Sequence, residues 1–190
     1  MKLVILDRDG TINVDSDEFI KSPEEWQPLP GSLEAIAKMN HAGWHVAVAS
    51  NQSGLGRGLF DVASLNAIHA KMHKAVSAVG GRIDAVFYCP HSPDEGCNCR
   101  KPLPGLFEQI GERFGVDLKL VPVVGDTLRD LQAGALVGCP THLVFTGKGA
   151  AMRGRPLPIE YPAGTMVHED LAAFADWLIA RPPVLRPPMQ

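Results

Sequence analysis

Leu3-Val4-Ile5-Leu6 is an unbroken apolar run that leads straight into Asp7-Arg8-Asp9-Gly10-Thr11. Such a run reads as a strand buried on both faces, and a strand of that kind needs a sheet with helices on either side. Alternate residues of a strand share a face, so Asp7 and Asp9 leave its end aimed at one small volume. Gly10 lets the chain turn there. Packing gains nothing from two neighbouring carboxylates, which repel one another. A hard divalent cation such as Mg²⁺ removes the repulsion, and a carboxylate beside it can attack phosphorus. A plain strand with an acidic turn also fits this string, so the remainder of the chain has to decide.

Apolar runs alternate with helical patterns, the signature of an α/β fold with a mostly parallel sheet. The patterning predicts strands at 3–6, 45–49, 83–88, 121–124, 141–145 and 165–167. Helices are predicted at 32–42, from Asp61 to Gly80, from Pro104 through Phe114, at 128–137 and at 169–180. The Gly/Pro-rich stretch 150–164 reads as a loop, and the proline-rich tail 182–190 as unstructured, leaving one domain over 1–181. A net charge of -3 offers no basic field for nucleic acid. No stretch approaches a membrane span, and the first strand begins too early for a signal peptide, so the cytoplasm is the expected location. Nothing demands more than a monomer.

Ligands of parallel sheets bind outside the carboxyl ends of the strands, and polar groups gather at those positions. Ser50-Asn51-Gln52-Ser53-Gly54 follows the second strand, and its hydroxyls and N–H groups suit phosphate oxygens, though a Ser/Asn/Gly cluster is also ordinary turn chemistry. Gly125-Asp126 repeats the logic of the first strand. Asp126 suits a further Mg²⁺ ligand or a helix cap, and Asp130, one turn on, is placed to orient Asp126 or a metal-bound water. Arg100-Lys101 offers two cations before a proline. Lysine is a good point charge for both phosphate and carboxylate.

Cys89, His91, Cys97 and Cys99 fall within one short stretch. Three thiols and an imidazole complete a tetrahedral zinc set with no open position, which makes the site structural. Cys97 and Cys99 are too close in sequence for easy disulfide geometry. Zinc here would hold a loop that runs directly into Arg100 and Lys101. Cys139, far away, reads as a small buried hydrophobe.

The joint order, D-x-D-G-T, then Ser, then Lys, then G-D-x-x-x-D, resembles the haloacid dehalogenase superfamily of phosphotransferases. The resemblance implies a doubly wound sheet and an aspartyl-phosphate intermediate. It makes Asp7 the nucleophile and Asp9 the general acid/base, with Ser50 and Lys101 steadying the phosphoryl group. Mg²⁺ would be held by Asp7, the backbone carbonyl of Asp9, and Asp126. With the zinc loop, the strings Asp7–Asn13, Asn51–Gly54 and Cys99–Pro102 resemble a narrower branch. That branch contains D-glycero-D-manno-heptose 1,7-bisphosphate 7-phosphatases and histidinol-phosphate phosphatases. The heptose side implies a phosphorylated sugar as the small-molecule partner and release of its C7 phosphate on the way to ADP-heptose for lipopolysaccharide. It also implies substrate contacts from Arg100, from the segment Asp15 to Glu18, and from Asn51, Gln52 and Ser53. Arg57, Arg100 and Arg129 are available for a second phosphate. Thr127 stands where some relatives carry lysine. A histidinol-phosphate phosphatase, a nucleic-acid-end phosphatase and a non-catalytic zinc-stabilised module are the alternatives.

Overall fold

The computed structural model describes residues 1–181, so the 182–190 tail lies outside the described residues. Six parallel strands, β1 (Lys2–Leu6), β2 (Trp44–Asn51), β3 (Ala85–Cys89), β4 (Val123–Gly125), β5 (Thr141–Val144) and β6 (Met166–His168), form one sheet in the order β3-β2-β1-β4-β5-β6. The helices are α1 (Ser32–His41), the single turn α2 (Ser53–Gly56), α3 (Val62–Ala78), α4 (Gly105–Phe114), α5 (Leu128–Leu136) and α6 (Leu171–Ala180). This is the doubly wound architecture, with its order reversing between β1 and β4.

The apolar run of β1 is unbroken because both faces of the strand are covered. Leu3 and Ile5 pack among Leu106, Phe107 and Ile110 of α4. Val4 and Leu6 face Ile36 of α1, Met72 of α3 and Phe174 of α6. Each such side chain taken fully from water contributes about 1.5–3 kcal/mol. α1, α3 and α6 thus cover one face, and α4 and α5 the other.

Several boundaries differ from the periodicity. β2 runs on through Ser50 and Asn51, which pair with Tyr88 and Cys89. The polar cluster is therefore partly strand, not wholly a turn: ladder hydrogen bonds tolerate polar side chains where a strand reaches the edge of a site. β3 begins at Ala85, two residues late. Residues 118–120 form a 3-10 turn, so β4 starts only at Val123. The expected loop at 150–164 opens with a 3-10 turn over Gly147–Met152. Asp170 caps α6, accepting from the Ala173 N–H at 2.8 Å, so this helix starts after residue 169. Among the described residues no helix is long and apolar enough to cross a membrane.

After β1 the chain closes a tight turn on the Arg8 carbonyl, which accepts from Ile12 N at 2.8 Å and Asn13 N at 3.2 Å. It then makes a long excursion that returns through Val14 N to Gln27 O at 2.9 Å. The buried Trp26 pins this excursion to the core. Lys71 of α3 holds it from outside, donating to the carbonyls of Pro23 at 2.6 Å and Trp26 at 2.9 Å.

Candidate active site

Asp7 and Asp126 leave the ends of β1 and β4 at the point where the strand order reverses, where doubly wound sheets take ligands. Lys101 enters between them from the segment before α4. Its ammonium donates to Asp7 Oδ1 at 2.8 Å and to the Ala49 carbonyl at 2.7 Å, and pairs with Asp130 Oδ1 at 2.7 Å. All three of its donors are thereby engaged. Burial works against the charge, but Asp130 and Asp7 outweigh it and hold the ammonium above the ordinary lysine range. Asp130 also accepts from the Thr127 hydroxyl at 2.8 Å and the Thr127 N–H at 3.1 Å. Its partners are therefore Lys101 and the start of α5, rather than Asp126.

Carboxylate oxygens of Asp7, Asp126 and Asp130 lie within 4.8 Å of one another. Burial, with the Asp130 charge added, pushes Asp7 up to about 7 against the pull of Lys101. Burial followed by Asp7 and Asp130 pushes Asp126 up to about 9. Asp126 Oδ2 accepts the Lys148 N–H at 2.9 Å, while its buried Oδ1 has no protein partner. More negative charge is gathered here than Lys101 neutralises, and an acceptor is left over, which suits a hard divalent cation. Gly10 and Gly147 bring backbone so close to Asp126 that a Cβ on either would collide with its carboxylate.

Asp9 points elsewhere. Arg8 grips its carboxylate with a two-pronged contact, Nε to Oδ1 at 2.8 Å and Nη2 to Oδ2 at 3.1 Å. Asn13 adds a bond at 2.9 Å and Gln52 one at 3.3 Å. Burial opposes the charge, but Arg8 prevails and holds this carboxyl below the usual range. Its side chain stands outside the Asp7–Asp126–Asp130 group, which leaves its backbone carbonyl as the atom to consider for a metal.

Of the residues expected around a substrate, Asp15, Asn51, Ser53, Arg57 and Arg100 line a cleft of about 240 Å³ above Asp7. Gln52 and Ser50 are buried beneath it, joined by a 2.6 Å hydrogen bond from the Gln52 amide. Glu18 faces a neighbouring hollow instead. The Asn51 amide is spent on the backbone of Lys101, donating to its carbonyl and accepting from its N–H, each at 3.0 Å. It therefore acts as a latch on the lysine segment. Phe19 and Lys148 also line the cleft, and neither was singled out from the sequence. Phe19 sits at φ 67°, a left-handed conformation rare for a bulky residue, with the Arg57 guanidinium 5.6 Å from its ring centre. The one available hint for Lys148 was its place between Gly147 and Gly149, past the end of β5. Arg129 joins the rim, and burial, followed by the charges of Arg129 and Arg57, lowers Arg100 from the ordinary arginine range.

Cys89, His91, Cys97 and Cys99 put their ligand atoms within 4.8 Å of one another. Cys89 Sγ lies 3.7 Å from Cys97 Sγ and 3.0 Å from Cys99 Sγ, and His91 Nδ1 is 3.3 Å from Cys99 Sγ. All four cysteines are free, and Cys139 is buried as a hydrophobe. Four N/S donors at these separations fit a closed tetrahedral metal site. The loop presses on both sides of the cleft. A Cβ on Gly56 would strike Pro90 and Ser92, and the Gly105 N–H at the head of α4 donates to the Asn98 carbonyl at 2.8 Å.

Residues 98–174 match a family model described as HAD-hydrolase-like, and residues 2–128 one described as polynucleotide kinase 3 phosphatase. The D-glycero-beta-D-manno-heptose-1,7-bisphosphate 7-phosphatase of Bordetella bronchiseptica is 59% identical over 179 residues, covering 94% of this chain and 98% of the relative. The enzyme of the same name from Pseudomonas aeruginosa is 52% identical over 177 residues, covering 93% and 97%. The crystal structure of D,D-heptose 1,7-bisphosphate phosphatase from B. bronchiseptica, complexed with magnesium and phosphate, superposes with a TM-score of 0.88 at 59% identity, covering 94% of this chain and 98% of that one. Its counterpart from Burkholderia thailandensis gives a TM-score of 0.72 at 53% identity, covering 95% and 100%.

Proposed function

Since the chain belongs to the HAD-like hydrolases, in the family of the D-glycero-beta-D-manno-heptose-1,7-bisphosphate 7-phosphatases, we propose that it releases the C7 phosphate of that sugar through a phosphorylated Asp7. The observation that carries this reading is the convergence of Asp7, Lys101 and Asp126 where the strand order reverses between β1 and β4, beneath a cleft that Arg57, Arg100 and Arg129 line. Asp7 attacks phosphorus in line with the departing sugar oxygen; Asp9, ionised beside Arg8 in the free protein, takes up a proton from solvent and passes it to that oxygen. Asp9 then takes a proton from the water that attacks the phosphorylated Asp7, which restores both carboxyls. Lys101 fixes Asp7 and balances charge on the phosphoryl oxygens, with Ser50 beneath them. Asp7, Asp126 and the backbone carbonyl of Asp9 would hold Mg²⁺. When bound, that ion lets an anionic nucleophile approach an anionic phosphate. Arg57, Arg100 and Arg129 suit the phosphate that is not cleaved, and Asp15 and Ser53 suit the sugar hydroxyls.

The cysteine loop is assigned a structural Zn²⁺ on Cys89, His91, Cys97 and Cys99. A cytoplasmic monomer acting on a free phosphorylated sugar is the simplest setting for this chemistry. The deciding experiment is phosphate release with Mg²⁺, in parallel, from heptose 1,7-bisphosphate, histidinol phosphate and a 3′-phosphorylated oligonucleotide. A preference of about a hundredfold or more in kcat/KM for the bisphosphate is expected, lost in Asp7→Asn. Preference for either other substrate overturns the sugar assignment and leaves the chemistry of Asp7 standing.

A further inference from the structure

Arg8 is wholly buried, and arginine does not lose its proton in a protein. Its Nε and Nη2 are committed to Asp9. The remaining arm, Nη1, meets His69 Nε2 at 3.2 Å, from the buried face of α3. A guanidinium only donates, so Nε2 must accept and the imidazole proton must sit on Nδ1. Burial, with the Arg8 charge added, pushes His69 down to about 4, which keeps the ring a neutral acceptor near neutral pH. His69 does not line the cleft. No part of the chemistry above uses it.

We propose that His69 is a positioning residue for Asp9, acting through Arg8; the proposal rests on the phosphatase reading and deepens it. Asp9 must meet a sugar oxygen in one half of the reaction and a water in the other, so its carboxylate needs a fixed aim. A two-pronged arginine contact supplies that aim only while the guanidinium plane is itself held. Removing His69 strands a buried N–H, and Arg8 answers by turning toward another acceptor, taking its grip off Asp9. The simpler role for His69 is core filling, since its ring also lies 6.1 Å from that of Tyr88. The two roles separate experimentally, because a glutamine oxygen can still accept from Arg8 whereas leucine only fills space.

The test compares His69→Leu and His69→Gln in the full-length protein with Mg²⁺, measuring kcat and KM on heptose 1,7-bisphosphate together with the melting midpoint. His69→Leu should lower kcat about tenfold with little change in KM, and His69→Gln should recover most of the loss. In an Asp9→Asn background His69→Leu should cost nothing further, since its effect passes through the carboxylate. Undiminished kcat in His69→Leu, equal losses in Leu and Gln variants that track melting, or an undiminished effect in the Asp9→Asn background overturns the proposal. p-Nitrophenyl phosphate separates the two levels. A wild-type protein that cleaves this ester but not the heptose overturns the substrate reading alone, and the His69 comparison is then made on the ester. Wild-type inactivity on both overturns the positioning role as well.

Discussion

A methyl group on Gly10 would enter the Asp126 carboxylate, and its φ of 83° is one that side chains resist. Gly10→Ala should therefore cost about 1–3 kcal/mol of stability, read as a lower melting midpoint. It should also reduce turnover about a hundredfold, because the displaced carboxylate is part of the site. Asp7 and Asp126 were legible because each directly follows an apolar strand; Asp9 was legible as an acid but its direction was not, since β1 ends at Leu6 and Arg8 holds the carboxylate apart from the other two. Lys101 was legible as one cation of a pair, but its burial between two carboxylates was not. Asp130 was visible as an acid one turn into α5, yet its true partner comes from another segment of the chain. His69 was not singled out by the sequence: a histidine on a core face carries no mark of what its nitrogen meets. Phe19 and Lys148 lie on irregular segments, where periodicity says nothing about direction.

Helix α6 docks on β5 and β6 through Phe174 and Trp177, which enclose His142 and His168. The two rings share a hydrogen bond of 3.0 Å, Nδ1 of His142 to Nε2 of His168. Burial, then His168 and Arg181, pushes His142 down to about 3, and burial also lowers His168. The unfolded chain therefore binds protons first. The contribution of this contact is intact above about pH 6.5 and falls away below it, by as much as about 1.4 kcal/mol per pH unit per histidine. Melting midpoints should drop between pH 7 and 5, and His142→Phe should flatten that drop; an unchanged slope would assign the acid sensitivity to other groups. The cysteine loop makes a second prediction at this scale. A strong chelator should release about one Zn²⁺ per chain, measured with a colorimetric indicator. With it should go melting temperature and kcat together, since the loop leads into Lys101 and presses on the turn that carries Arg57. The six strands and the five longer helices were legible by type, whereas the single turn α2 and the 3-10 turns were not. Boundaries slipped where side-chain chemistry, not periodicity, ends an element, as where polar Ser50 and Asn51 continue β2.

At the scale of the whole molecule, charge is unevenly distributed. The chain carries a net -3, yet Arg57, Arg100 and Arg129 all face one cleft, which they share with Asp7, Asp9, Asp15 and Asp17; Lys148 is paired there with Asp15 at 3.5 Å. A doubly anionic substrate should be drawn there through a field that added salt screens. KM for the bisphosphate should rise severalfold from about 0.05 to 0.5 M NaCl, more steeply than for a monophosphate, while kcat changes little. An equal rise for both would mean that the rim cations do not distinguish the second phosphate. The α/β class and its helical cover were readable from alternating periodicities alone. The strand order was not, because no local pattern records which strand lies beside which.

That order has a consequence in time. β1 is made first, yet its flanks are β2 and, far downstream, β4, where Ile5 pairs with Val123. Until that distant segment arrives, a nascent or refolding chain can collapse, wind its helices and pair β1 with β2 while Asp7 has no Asp126 beside it. Joining ends so far apart is entropically slow and tends to come late. Regained turnover after dilution from denaturant would then clock one long-range closure, lagging behind the return of helical signal. An unfinished molecule would be, by construction, a silent one.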